Sequence, residues 1–419
     1  MKRFFVSVLS LFLLLCGMTS CGKTEGESSV ESGSTVLYVY NWGEYISDGS
    51  EGSLDVNRAF EEYCRETLGK KVTVNYSQYS SNEDLYAKLS SGAVSYDVIV
   101  PSDYMVARLA AEGLLREFDV QTEIANYSYI SDDFKGLYYD PDQKYSVPYT
   151  YGTVGVIYNT EMVEENDPNI GSWSLLWDED YAGNILQFNN PRDAFGTAQY
   201  YLKKSVNSEN EQDWRDALEL LKQQKSVVQG YVMDEVFNKM KGGSAGIAPY
   251  YAGDFFTMYA DNDRLDFFYP KEGTNVFVDA MCIPASTKNF DLAKEYINFM
   301  LGEEVAIENA EYICYASPNS LVYENEDYIA YMEEEMHPKA ISILYDFDMS
   351  TMEFFHDLPD DTRMLMNSLW EELKIESTIG TSIYVICGVI VAACVGILIW
   401  RLAVKKRRQI YFQKYAKKM

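Results

Sequence analysis

Leu37-Tyr38-Val39-Tyr40-Asn41-Trp42-Gly43-Glu44-Tyr45-Ile46 is the stretch on which the fold turns. Leu37 to Tyr40 alternate as a pleated strand requires. Asn41 and Gly43 then break the strand and deliver Trp42, Glu44 and Tyr45 at its carboxyl end. In open α/β sheets that end is where ligands bind. A carboxylate between two large aromatic rings suits an organic cation, which gains from the π faces and from the full charge. The same residues also fit two core aromatics beside a solvated carboxylate, and the stretch alone does not choose.

Outward from this point, strand and helix patterns alternate. Helix Leu54–Leu68, strand Val72–Tyr76, helix Glu83–Ser90, strand Tyr96–Pro101 and helix Tyr104–Glu112 are predicted in turn. Strands separated by single helices imply a parallel sheet with right-handed crossovers. After Tyr145-Ser146-Val147-Pro148-Tyr149 a second α/β region begins, with strands at Gly155–Tyr158 and Asn184–Phe188 and helices at Ala194–Lys203 and Trp214–Lys222. Asp279–Pro284 reads as another strand, Leu292–Leu301 as a helix, and Thr362–Lys374 as the closing helix.

The ends of the chain predict export and attachment. Lys2-Arg3 followed by apolar Phe4–Leu15 has the order of a secretory signal. Met18-Thr19-Ser20-Cys21 resembles a lipoprotein processing box, which makes Cys21 the expected lipidation site. Residues 1–21 are read as the signal and lipoprotein segment and 22–36 as a flexible linker. Residues 382–400 are apolar and of spanning length, and are expected to form a transmembrane helix. Arg401, Lys405, Lys406, Arg407 and Arg408 follow, so 401–419 is expected as a basic cytoplasmic tail with the lobe outside the cell or in the periplasm.

The 419 residues carry 35 Lys+Arg against 64 Asp+Glu, a net charge of −29. Ten of the basic residues lie in the two ends, so the part between stands at about −39. Such a surface repels nucleic acid and favours cationic partners. Cys64, Cys282 and Cys314 are too few for a disulfide scaffold and show no metal-site spacing; a single Cys282–Cys314 bridge is compatible with the sequence. Two histidines, His337 and His356, argue against histidine-based catalysis or zinc, and His337 reads as a solvated loop or helix-end residue.

Several short motifs recur in a fixed order: Tyr40-Asn41-Trp42-Gly43-Glu44-Tyr45, Ser81-Asn82-Glu83 with Tyr86-Ala87-Lys88-Leu89, and Tyr96-Asp97-Val98-Ile99-Val100-Pro101-Ser102-Asp103-Tyr104. Pro191-Arg192-Asp193, Val278-Asp279 with Ile283-Pro284, and Ala316-Ser317-Pro318-Asn319 follow. With these, about Leu37 to Lys374 resembles the spermidine/putrescine-binding proteins of bacterial polyamine ABC importers. The resemblance implies a two-domain periplasmic-binding-protein (Venus-flytrap) α/β fold. Its domains would be 37–148 plus 279–324 and 149–278 plus 325–375, closing over ligand. It implies no catalysis, no cofactor and no metal. The implied partners are a polyamine, an ABC transporter permease and the membrane.

By position, the resemblance implies a wall of Trp42, Glu44 and Tyr45. Ser102 and Tyr104 follow the third strand, and Asp193 and Asp279 take acidic positions. Tyr251 and Phe277 stand where the family commonly has tryptophan, Asn190 where it commonly has an acid, and Glu371 where it offers a polar group. Each desolvated ammonium of a polyamine needs an acceptor, since an unpaired buried charge is costly. Three carboxylates, Glu44, Asp193 and Asp279, suit the three ammonium groups of spermidine. Competing readings are a ligand-sensing ectodomain and a ferric-ion-binding member of the same fold; an extracellular hydrolase has no matching motif. Replacing Cys21 by alanine should abolish incorporation of labelled fatty acid, read by metabolic labelling; undiminished incorporation would remove Cys21 as the attachment site.

Overall fold

The computed structural model describes residues 34–378 and, past them, only scattered helical positions between 389 and 406. The export segment, Cys21 and most of the 22–36 linker lie outside the described residues, as do most of 382–400 and the end of the tail.

Three strand–helix units begin the sheet. β1 (Thr35–Trp42) leads to α1 (Val56–Glu66), β2 (Val72–Tyr79) to α2 (Asn82–Ser91), and the short β3 (Val98–Ile99) to α3 (Asp103–Ala111). β1 lies between β2 and β3 and runs parallel to both. Each single-helix crossover returns the chain to the same edge of the sheet, which requires that direction. α1 buries Val56, Phe60 and Cys64 at one-turn spacing and starts on Asp55, whose carboxylate accepts the Arg58 N–H. α2 starts on the Ser81 hydroxyl and stops at Gly92, in the left-handed region.

The chain continues through β4 (Ser146–Asn159), β5 (Ile185–Phe188), α4 (Pro191–Tyr201), α5 (Glu211–Gln224), β6 (Val228–Val232), α6 (Glu235–Lys241) and β7 (Ile247–Tyr251). Then come α7 (Ala252–Asp261), β8 (Leu265–Phe268), β9 (Thr274–Cys282), α8 (Phe290–Met300), α9 (Glu303–Ile313), β10 (Met352–Phe354) and α10 (Asp360–Thr378). The strand order is β2-β1-β3-β9-β4-β7-β5-β6, with β10 beside β9 and β8 beside β4.

β4 and β9 join the two α/β halves. They pair antiparallel from Ser146 opposite Cys282 to Thr153 opposite Val276. Past that, β4 pairs with β7 and β8 in the second half, while the end of β9 meets β3 in the first. Both strands are buried almost throughout. The sequence reading recovered only Gly155–Tyr158 of β4, because Pro148 and two glycines look like breakers. A register shift between Pro148 and Thr150 accommodates the proline's missing N–H. Likewise β9 starts at Thr274 rather than Asp279, so Asp279 sits inside a strand, opposite Thr150.

Three expectations change. Among the described residues no helix is long and apolar enough to cross a membrane. The C-terminal transmembrane helix expected at 382–400 is therefore withdrawn, and the fold described is the two-lobed α/β unit. Apolar composition suggested the span, and most of that stretch lies outside the described residues. His337 is buried against Tyr259, Phe255 and Phe256 rather than solvated, and burial lowers its pKa. Cys282 and Cys314 are buried free thiols, not a bridge.

Gly155 marks the tightest crossing within the second half. A Cβ there would stand 2.2 Å from Phe267 Cζ and 2.8 Å from the Phe268 carbonyl oxygen. Gly155→Ala should cost about 1–3 kcal/mol or more from overpacking, read as a lower urea midpoint with an unchanged m-value.

Candidate functional site

Where β4 and β9 cross, the halves enclose a cleft of about 840 Å³, mouth included. Its walls come from the ends of many elements: Trp42 and Tyr45 after β1, Ser102 to Tyr104 at the start of α3, Asn190 to Asp193 at the start of α4, Tyr251 and Asp254 at the β7–α7 junction, and Phe277 and Asp279 on β9.

Asp279 is one of the buried acids of this cleft. It is 4% exposed, and its Oδ2 accepts the Tyr45 hydroxyl at 2.7 Å. The Tyr45 oxygen also bonds Thr150, so the register of the crossing strands aims the pair. Oδ1 of Asp279 has no donor among the described residues. Burial pushes the Asp279 carboxyl up to about 6, against bonds from Ser102 and Tyr45 that lower it. An unsatisfied oxygen on a buried carboxylate that lines a cleft is a place for a cation.

Asp193 forms a second acidic centre. Its Oδ2 accepts the Tyr251 hydroxyl and the Asn190 amide, each at 2.7 Å, while Asn190 Oδ1 caps α4 through the Asp193 N–H at 2.8 Å. Asn190 thus orients Asp193 instead of adding a charge. Burial raises the Asp193 carboxyl as well. Between the two centres, Tyr251 meets Phe277 edge to face, with centroids 5.5 Å apart. Phe277 is seated over Gly152, where a Cβ would come within 2.7 Å of the ring. Trp42 packs on Tyr79 at 4.5 Å, and both donate to the Val100 carbonyl, at 2.9 and 2.6 Å. Tyr104 donates to Glu83 at 3.2 Å.

Nine of the eleven expected ligand residues therefore line this cleft. Glu44 and Glu371 do not. Glu44 is exposed with φ 51°, and both it and Glu371 line an outer cleft beyond the mouth. Glu83, Asp103, Arg192, Asp234 and Asp254 also line the cleft and were not among the expected ligand residues. Asp103 Oδ1 and Oδ2 accept the Tyr104 and Val278 N–H groups, at 2.6 and 3.2 Å, which ties α3 to β9. Burial pushes the Asp103 carboxyl up to about 8. Asp254 accepts the Tyr315 hydroxyl at 2.9 Å and is likewise raised by burial. Strand-end and helix-start positions were a usable signal for all of these.

Arg192 is the cationic residue of the wall, but its guanidinium is committed to the Val206 and His356 carbonyls and to Asn207. The cleft thus presents six carboxylates and aromatic faces to whatever enters. The profile of the bacterial extracellular solute-binding protein family matches residues 58–335. The chain belongs to that family. The spermidine/putrescine-binding periplasmic protein of Escherichia coli is 31% identical over 346 residues, which is 82% of this chain and 92% of the relative. The family's solved structures include a Listeria monocytogenes protein described as a spermidine/putrescine ABC transporter, with TM-score 0.72, 32% identity, and 82% of this chain and all of that one covered. The Streptococcus pneumoniae spermidine/putrescine substrate-binding protein aligns with TM-score 0.64 and 29% identity over 82% of this chain and 99% of its own.

The raised carboxyls give the empty cleft a pH signature. A group held above its unfolded value, about 3.9 for aspartate, adds stability that is full below that value and is lost as pH rises through the folded one. For Asp279 and Asp103 the losses run from about pH 4 up to about 6 and about 8 respectively. The ligand-free protein should therefore melt at progressively lower temperature from about pH 4 to 8, most steeply below 6, and Asp279→Asn should make the fall below pH 6 shallower.

Proposed function

We propose that this chain is the substrate-binding component of a polyamine ABC importer, taking spermidine or putrescine outside the cytoplasmic membrane and presenting it to a permease. The observation that carries this reading is the orphaned Asp279 Oδ1 in an aromatic, carboxylate-lined cleft. An ammonium there completes the carboxylate with a charge-assisted bond. The methylene chain then lies along Phe277, Tyr251 and Trp42, where a cation over a ring gains about 0.5–2 kcal/mol. Asp193, held by Tyr251 and Asn190, supplies a second acceptor. The named relatives support a polyamine over the sensing and ferric alternatives.

Titration calorimetry with spermidine, putrescine and ferric citrate tests the reading. Either amine should bind one to one, more tightly at pH 7 than at pH 5 as Asp279 ionises. Asp279→Asn should weaken binding about 30-fold or more, the lower end of the loss on breaking a buried charge pair. Binding of ferric citrate without either amine would overturn it.

A further inference from the structure

Asp234 stands apart from the other carboxylates of the cleft. Asp103, Asp193, Asp254, Asp279 and Glu83 each accept at least one protein hydrogen bond. Asp234 is an exposed residue at the start of α6 that does not cap it, and no protein donor meets its carboxylate among the described residues. It lines the inner cleft and both outer cavities at the mouth, whereas Asp279 lines the inner cleft only. The nearby Lys241 is paired with Asp261 at 2.8 Å, and Arg192 is tied to backbone. Across the cleft, a Cβ on Gly43 would stand 2.7 Å from Asp234 Oδ2. A glycine is what lets this carboxylate of the second half reach the end of β1 in the first. Inside, Asp279 lines the same cleft, is only 4% exposed, and keeps an Oδ1 without a donor among the described residues.

We propose that Asp234 is a further ammonium-binding residue, which takes at the mouth the third amine of a triamine whose first is held by Asp279. The proposal rests on the polyamine reading. It supplies the charge that Asn190 does not, and it makes Asp234 the residue that separates spermidine from putrescine, which has no third ammonium to offer. Asp234 already lies against Gly43, so the amine and this contact between the halves share one carboxylate.

The test uses the full chain and both amines. Asp234→Asn should lower spermidine affinity about tenfold more than putrescine affinity. The difference should persist at about 1 M salt, where the Debye length is about 3 Å and a general field effect is screened. Gly43→Ala should weaken spermidine binding, and should do so less when Asp234→Ala removes the oxygen it meets. A parent that binds both amines, with Asp234→Asn weakening them equally or differing only at low salt, would overturn this inference and leave the polyamine reading intact. Additive losses in the Gly43→Ala/Asp234→Ala pair would also overturn it. A parent that binds neither amine would overturn both.

Discussion

Asp279 Oδ1 is removed from water and given no donor, and a buried anion in that state costs several kcal/mol until a cation completes it. Much of the surrounding architecture holds that carboxylate in place. The antiparallel register of β4 and β9 puts it opposite Thr150, and Tyr45 bonds both. Asp103 holds β9 against α3 through two backbone amides. The strands that place the charge also join the halves, so whatever draws those halves together changes the solvation of Asp279.

Cation selectivity follows from the way positive charge is handled. A wall of six carboxylates would be neutralised by internal salt bridges if lysines and arginines stood free among them. Arg192, the arginine that is present, spends its two terminal nitrogens on carbonyls and an amide oxygen, leaves Nε without a partner among the described residues, and stacks on Phe355 at 4.5 Å. The acids instead stay raised by burial, tempered by neutral donors such as Tyr45, Tyr251, Tyr315 and Asn190. Hydroxyl and amide donors hold a carboxylate in position without cancelling its charge, which leaves the attraction for a ligand.

The sequence made the α/β alternation, the helix starts and most of the cleft legible, because those depend on local rules. Ser81, Asn190 and Asp55 are caps that fix helix starts within a turn, and β1 alternates as a strand should. Long-range matters were less visible. β4 was cut short at Pro148 because a compensating bulge is a property of the pair, not of the strand. Glu44 was expected to face ligand because it lies between two ligand aromatics. Its left-handed backbone turns it to the outer cleft. Asp234 stands at a helix start, but its approach to Gly43, nearly two hundred residues away in the chain, was not legible. The apolar 382–400 run carried a compositional signal with no described membrane-crossing helix behind it.

Glu44 and Glu371 nevertheless have a consequence where they are. They line the outer cleft with Asp84 and Glu235, in a chain of net charge −29. Being solvated, they bind a cation only weakly by contact, but their field concentrates polycations at the mouth and speeds encounter. Inside, carboxylates cut off from water act at short range and decide which cation stays. The outer acids therefore govern the rate of arrival, which salt reduces. The inner ones govern the rate of escape, which depends on hydrogen bonds that salt reaches far less. Such a division suits a protein that must collect a scarce ligand quickly and yet release it, since opening the halves readmits water to Asp279 and weakens the pairing that held the amine.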